Sequence, residues 1–184
     1  MAKGKKRAQV AEPTREELSV FAYQPTGAEG FDTEKPFGSQ SYKHMKGLLM
    51  QRVNPSRYVH SISVAKTARK LARAYGYDSH VARMAGLLHD WDKALLPAQL
   101  QQRISDFDLN VSPDVVNGMP WVLHGPTAAA ALRRDFPSFG EEVFQAIDRH
   151  TVGAPDMGPL DMIVFVADKI EPTHDVAEYK RLYK

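Results

Sequence analysis

The chain has 184 residues, 43% of them hydrophobic and 25% charged, with 24 lysines and arginines against 22 acids for a formal charge of +2. That length suits one domain with a real core, and so small a charge argues for neither a nucleic acid nor a membrane surface as partner. Cysteine is absent, which excludes disulfides, thiolate metal sites and thiol nucleophiles.

No stretch approaches the roughly 18 apolar residues of a membrane span. The basic start lacks the apolar run of a secretory signal, so the expectation is a soluble, cytoplasmic protein. Residues 1–40 carry a basic cluster, Lys3, Lys5, Lys6 and Arg7, and are then punctuated by Pro13, Pro25, Gly27, Gly30, Pro36 and Gly38. With little apolar periodicity to offset the entropy of ordering, they read as a disordered N-terminal extension. The cluster suits a solvated tail better than a phosphate or RNA contact.

From residue 41 onward the pattern is helical, and the fold class is all-α. Ser41 to Val53 forms a first helix. Pro55 opens a second, on which Tyr58, Ile62, Ala65, Ala68, Ala72 and Tyr75 recur at helical spacing. Gly76 stops it, and Asp78 or Ser79 caps a third helix carrying Val81, Ala82, Ala85 and Leu88. Pro97 to Ile104 is a short helix, followed by an irregular stretch to Pro120. Pro126 lies just inside a helix through Thr127 to Arg134, Glu141 to His150 forms another, and Pro159 opens the last, through Asp168.

The third helix ends on His89-Asp90. Burying an imidazole beside a carboxylate is costly unless each is hydrogen-bonded, paired or bound to a metal. His60, His124, His150 and Asp168 likewise stand in or beside apolar segments. Singly, each has a bland reading as a satisfied core or surface group; six at helix ends or inward faces point to one site. Imidazole and carboxylate donors suit iron, manganese or zinc, and two such ions clamp the attacking and leaving oxygens of a phosphate ester or anhydride.

The order His60, His89-Asp90, Asp168 resembles the HD-domain metal-dependent phosphohydrolases. More closely, Arg57-Tyr-Val-His60, Ala85-Gly-Leu-Leu-His-Asp90, Leu123-His-Gly-Pro126, Ala146-Ile-Asp-Arg-His-Thr151 and Val166-Ala-Asp-Lys-Ile-Glu-Pro172 look like the YqeK-like bacterial symmetrical bis(5'-nucleosyl)-tetraphosphatases. The resemblance covers about residues 43–175. It implies an HD-domain helical bundle over residues 41–184 and two divalent metals, iron first and manganese as the alternative. One metal would be held by His60, His89, Asp90 and Asp168, the other by His124 and His150, with Asp90 as the bridge.

The implied reaction is attack of a metal-bridging hydroxide on diadenosine tetraphosphate to give two ADP. Asp90, Lys93 and Arg57 would serve catalysis, with Arg57, Lys93, Arg149 and His174 on the substrate phosphates. Departures from the family pattern remove two expected arginines: Ala154 stands in one position and His174 in the other. The chain also ends sixteen residues after Asp168, where relatives continue, which reads as a shortened C-terminus. Two alternatives follow: an HD phosphohydrolase of a different nucleotide or a phosphomonoester, and a non-catalytic metal-containing nucleotide-binding module. Asp92 is either an acceptor for a ligand histidine or exposed. The partner is thus a dinucleoside polyphosphate or another nucleotide, with a homodimer compatible with the sequence.

Overall fold

Proline sets the start of four helices, because its fixed φ suits the first helical position and its missing N–H would be unbonded there anyway. Pro55, Pro97, Pro113 and Pro159 each stand first in a helix. The computed structural model describes residues 28–173. They form α1 Ser39–Arg52, α2 Pro55–Ala74, α3 Ser79–Leu88, α4 Pro97–Asp106, α5 Pro113–Gly118, α6 His124–Asp135, α7 Glu141–Arg149 and α8 Pro159–Ile170. Short 3-10 turns lie at Pro120–Val122 and Pro137–Phe139, and no strand occurs among the described residues. None of these helices is long and apolar enough to cross a membrane.

Local signals account for the joint between α2 and α3. The Asn54 side chain accepts from the Arg57 amide at the start of α2. Gly76 takes φ +71° after its end, and the Tyr77 amide reaches back to the Ala72 carbonyl at 2.8 Å, a Schellman closure. Asp78 then caps α3 by accepting from the amides of His80 and Val81.

The main core collects the inward faces of α1, α2, α3, α6, α7 and α8, with Trp91, Phe136 and Phe144 among its fully buried side chains. Each such side chain contributes about 1.5–3 kcal/mol relative to exposure. Two glycines let helices cross closely. A Cβ on Gly86 of α3 would meet the Ala65 Cα and Val64 carbonyl of α2 at 3.2 Å; one on Gly125 of α6 would meet the Asp148 carbonyl of α7 at 2.7 Å. A smaller cluster, Leu100, Ile104 and Leu123 with Val111 and Val115 against it, sits under α4 and α5.

Two expectations need correction. Order begins before residue 41: α1 starts at Ser39, the Phe31 ring packs 5.1 Å from Phe136 and 5.2 Å from Phe139, and the Ser41 hydroxyl donates to the Lys35 carbonyl. Two aromatic anchors, Phe31 and Phe37, tie this Pro- and Gly-rich stretch to the core; residues 1–27, and the basic cluster with them, lie outside the described residues. The stretch before Pro120 is not wholly irregular, since Pro113 starts the single-turn α5, whose Val115 covers the smaller cluster. Pro126 does lie just inside its helix, as expected: α6 begins two residues earlier, at His124, because proline's missing amide falls within the first turn and breaks no bond.

Candidate metal centre

Four histidines meet at the helix ends, and each has one ring nitrogen already committed. His89 Nδ1 donates to the Gly86 carbonyl at 2.8 Å, His124 Nδ1 to Trp121 at 2.7 Å and His150 Nδ1 to Ile147 at 2.6 Å. In each case the acceptor lies three residues back along the chain. His60, within α2, has Nδ1 2.9 Å from the Glu171 carboxylate, just past the end of α8. A carbonyl or ionised carboxylate only accepts, so all four rings carry a proton on Nδ1 and leave Nε2 as the nitrogen that faces inward, free to ligate wherever it carries no proton.

Those Nε2 atoms converge. The Nε2 atoms of His124 and His150 lie 3.0 Å apart, and those of His60 and His89 lie 3.3 Å apart. Nitrogen lone pairs facing one another at such distances repel unless a cation stands between them. Asp90 lies between the two pairs. Its Oδ1 is 3.2 Å from His124 Nε2 and 3.7 Å from His150 Nε2, while Oδ2 is 3.3 Å from His89 Nε2 and 3.7 Å from His60 Nε2. Asp168, in the last turn of α8, puts Oδ1 3.1 Å from His60 and 3.6 Å from His89. Two groupings, His60-His89-Asp168 and His89-Asp90-His150, are each tight enough to hold an ion. The donor set, imidazole with carboxylate, fits divalent transition metals.

The electrostatics favour a cation here. Burial pushes the His89 imidazole down, but the Asp90 and Asp168 carboxylates more than reverse it, to about 10. Burial also works to raise Asp90, yet the His89 charge and contacts with His124 and His150 hold it well below the usual carboxylate range. Asp168 is lowered too, burial being outweighed by His60 and His89. His150, whose dominant influence is burial, falls to about 4 and is a neutral ligand at neutral pH.

Cations and a hydroxyl surround the carboxylates. Arg57 Nη1 lies 2.9 Å from Asp90 Oδ2, Lys93 Nζ 3.3 Å from His124 Nε2, and Lys169 Nζ 2.8 Å from Asp168 Oδ2. Thr151 Oγ1 sits 3.0 Å from His150 Nε2 and 3.2 Å from His124 Nε2. The structure therefore brings together the six residues read as ligands, with Arg57 and Lys93 at their edge. Arg149 is turned away, its guanidinium on Asp161 at 3.0 Å and on Asp156. His174 lies outside the described residues.

Sequence reasoning missed Glu171, Thr151 and Lys169. Glu171 sits one residue beyond α8, one turn after Asp168, a spacing that could have flagged it. Asp92 is neither exposed nor a histidine acceptor: fully buried, it pairs with Arg52 of α1 and Arg103 of α4. Arg52 also donates to the Trp91 carbonyl and lies over the Trp91 ring, so this network pins the turn that carries Asp90 and Lys93.

The HD-domain family profile matches residues 57–173, the span that runs from Arg57 beyond Glu171. The chain belongs to the HD-domain family. Among curated relatives, the symmetrical bis(5'-nucleosyl)-tetraphosphatase of Staphylococcus aureus (strain NCTC 8325 / PS 47) is 35% identical over 127 residues, covering 69% of this chain and 64% of that protein. Its counterpart in Halalkalibacterium halodurans is 36% identical over 135 residues, covering 69% of each. The chain thus spans about two thirds of the length of these relatives. A crystal structure of a predicted HD superfamily hydrolase involved in NAD metabolism, from Clostridium acetobutylicum, superposes with a TM-score of 0.74 at 31% identity, covering 79% of this chain and 77% of that one. The all-helical HD-domain bundle expected from the sequence is the fold observed.

Proposed function

We propose that the chain cleaves diadenosine tetraphosphate, or a related dinucleoside tetraphosphate, symmetrically into two nucleoside diphosphates at a two-metal centre. The observation that carries this reading is the split face of Asp90, one carboxylate oxygen toward His124 and His150 and the other toward His60 and His89. The names of the relatives support the substrate class. His60, His89, Asp168 and Asp90 Oδ2 would hold one metal; His124, His150 and Asp90 Oδ1 would hold the other. Iron is the proposed metal, with manganese the alternative for the same nitrogen and oxygen donors.

When bound, two divalent metals lower the pKa of water and clamp the attacking and leaving oxygens of an in-line displacement. The chain's own groups do the rest. The Nδ1 bonds to Gly86, Trp121, Ile147 and Glu171 fix ring orientation, as acceptors behind metal-ligating histidines do. Arg57 and Lys93 place positive charge where the equatorial phosphate oxygens gather negative charge. Water oxygen bonds to one inner phosphorus, the bridge between the second and third phosphates breaks, and the departing diphosphate keeps the bridging oxygen.

The test is to load the protein with iron or manganese, add diadenosine tetraphosphate and separate the products. ADP alone is the expected product; AMP with ATP, or no turnover, overturns the symmetrical reading. A second reading, hydrolysis of a mononucleotide or other phosphomonoester, is favoured by Ala154 and by the engagement of Arg149 with Asp156 and Asp161. Faster turnover of a monoester than of the dinucleotide would support it.

A further inference from the structure

A groove of about 480 Å³ opens between α5 and the loop after α7, lined by chain neighbours of the centre's histidines and by none of the six candidate ligands themselves. Its walls include Val111, Val115, Leu123 and Val152, with Asp148 and Arg149 on one side. It begins one residue from two of the centre's histidines, since Leu123 precedes His124 and Arg149 precedes His150. Thr151, which touches both imidazoles, is followed by Val152 on the groove wall.

Two polar groups line this apolar slot, and they differ. The Arg149 guanidinium is spent on Asp161 and Asp156. The half-buried Asp148 carboxylate makes no direct hydrogen bond or ion pair among the described residues; burial raises its carboxyl, with the Arg149 and Arg133 charges opposing at longer range. A second cavity of about 410 Å³ shares Val111, Pro126 and Asp148 as wall residues, so Asp148 borders two open spaces. Mostly apolar walls with one placed polar group are the usual form of a small-molecule subsite. A nucleobase answers both features, with flat faces for the valines and leucine and an amino edge for the carboxylate.

We infer that this groove is the base subsite of the substrate and that Asp148 reads the amino edge of a purine, preferring guanine to adenine. The inference rests on the hydrolase reading for its substrate class. An ionised carboxylate only accepts. Guanine presents two adjacent donors, the ring N1–H and the exocyclic amino group, matching both carboxylate oxygens. Adenine presents its amino group beside a ring nitrogen that is itself an acceptor, so one oxygen faces a lone pair. A site built to accept hydrogen bonds discriminates against a ligand that cannot supply them.

The experiment compares kcat/KM for the guanine, hypoxanthine and adenine dinucleoside tetraphosphates with the metal-loaded protein and with Asp148→Asn. In parallel, equilibrium binding of GDP and ADP is measured on both proteins. The expected result is a guanine-to-adenine ratio of about tenfold, carried mainly by KM, with hypoxanthine between. Asp148→Asn, isosteric with the native side chain, brings the ratio toward one in both turnover and binding. The ratio is its own control, because a general loss of fold or metal lowers both substrates together. Equal use of guanine and adenine by the unaltered protein, or a ratio unchanged in Asp148→Asn, overturns the assignment. A protein that cleaves none of the dinucleotides yet binds GDP over ADP through Asp148 would overturn the hydrolase reading and leave the base subsite standing. Failure to bind either diphosphate overturns the subsite.

Discussion

Gly125 and Asp148 touch where α6 crosses α7, so closely that a Cβ on Gly125 would lie 2.7 Å from the Asp148 carbonyl oxygen. The contact is backbone to backbone, so no side chain can swing aside to relieve it. It sits one residue from His124 and two from His150. Gly125→Ala is expected to cost about 1–3 kcal/mol through overpacking and to spread the two imidazoles. Denaturant unfolding reads the first effect. Metal analysis reads the second, as loss of one metal with the His60-His89 side retained.

Asp90→Ala should remove both metals and abolish turnover, because its two oxygens serve both histidine pairs. His124→Ala or His150→Ala should weaken one metal mainly. Elemental analysis of each purified variant separates the cases; an Asp90→Ala protein that keeps both metals would contradict the ligand assignment.

Glu171→Gln keeps the size of the side chain and removes the charge behind His60 Nδ1. Acceptors in that position typically matter about 10–100-fold in metal affinity or activity. The expected outcome is a drop of that order in affinity at the His60-His89-Asp168 side, measured by competition with a chelator, with the His124-His150 side little changed.

Metal uptake should release a proton. Without metal, His89 titrates near 10, above its ordinary 6.5, so at about pH 8 its Nε2 is protonated. A metal at that nitrogen must displace the proton. Since the raised value means the proton is held below 10 and lost above it, the release is present at pH 8 and fades as pH rises through 10. Calorimetry in buffers of different ionisation enthalpy detects it; a heat independent of buffer would contradict it.

Asp92→Ala leaves two buried or half-buried guanidiniums, Arg52 and Arg103, without their shared carboxylate. Removing one partner from a buried ion pair costs about 3–5 kcal/mol. Thermal unfolding should show the loss. Partial recovery in Asp92→Asn would assign part of the cost to hydrogen bonding and the remainder to charge.

The helices and the six side chains that meet at the centre were legible in the sequence because their signals are local: proline at a first turn, Asp78 before an amide pair, Gly76 after a helix end, and histidines and aspartates beside apolar runs. What escaped depends on groups far apart in the chain. Asp92 looks like a surface charge until Arg52 and Arg103 arrive from α1 and α4. Phe31 looks like part of a loose leader until Phe136 and Phe139 present a face for it. Arg149 looks ready for phosphate until Asp161 folds back onto it. Glu171 becomes an acceptor only because α8 packs along α2 and brings its end to His60.

Three of the four imidazoles take their orientation from a carbonyl only three residues back in the chain. Their aim is therefore set as soon as that turn forms. A protein stripped by chelation should keep its donors pointed inward and recharge on simple addition of metal, without a refolding step, so that exchange of iron for manganese is limited by metal release and access alone.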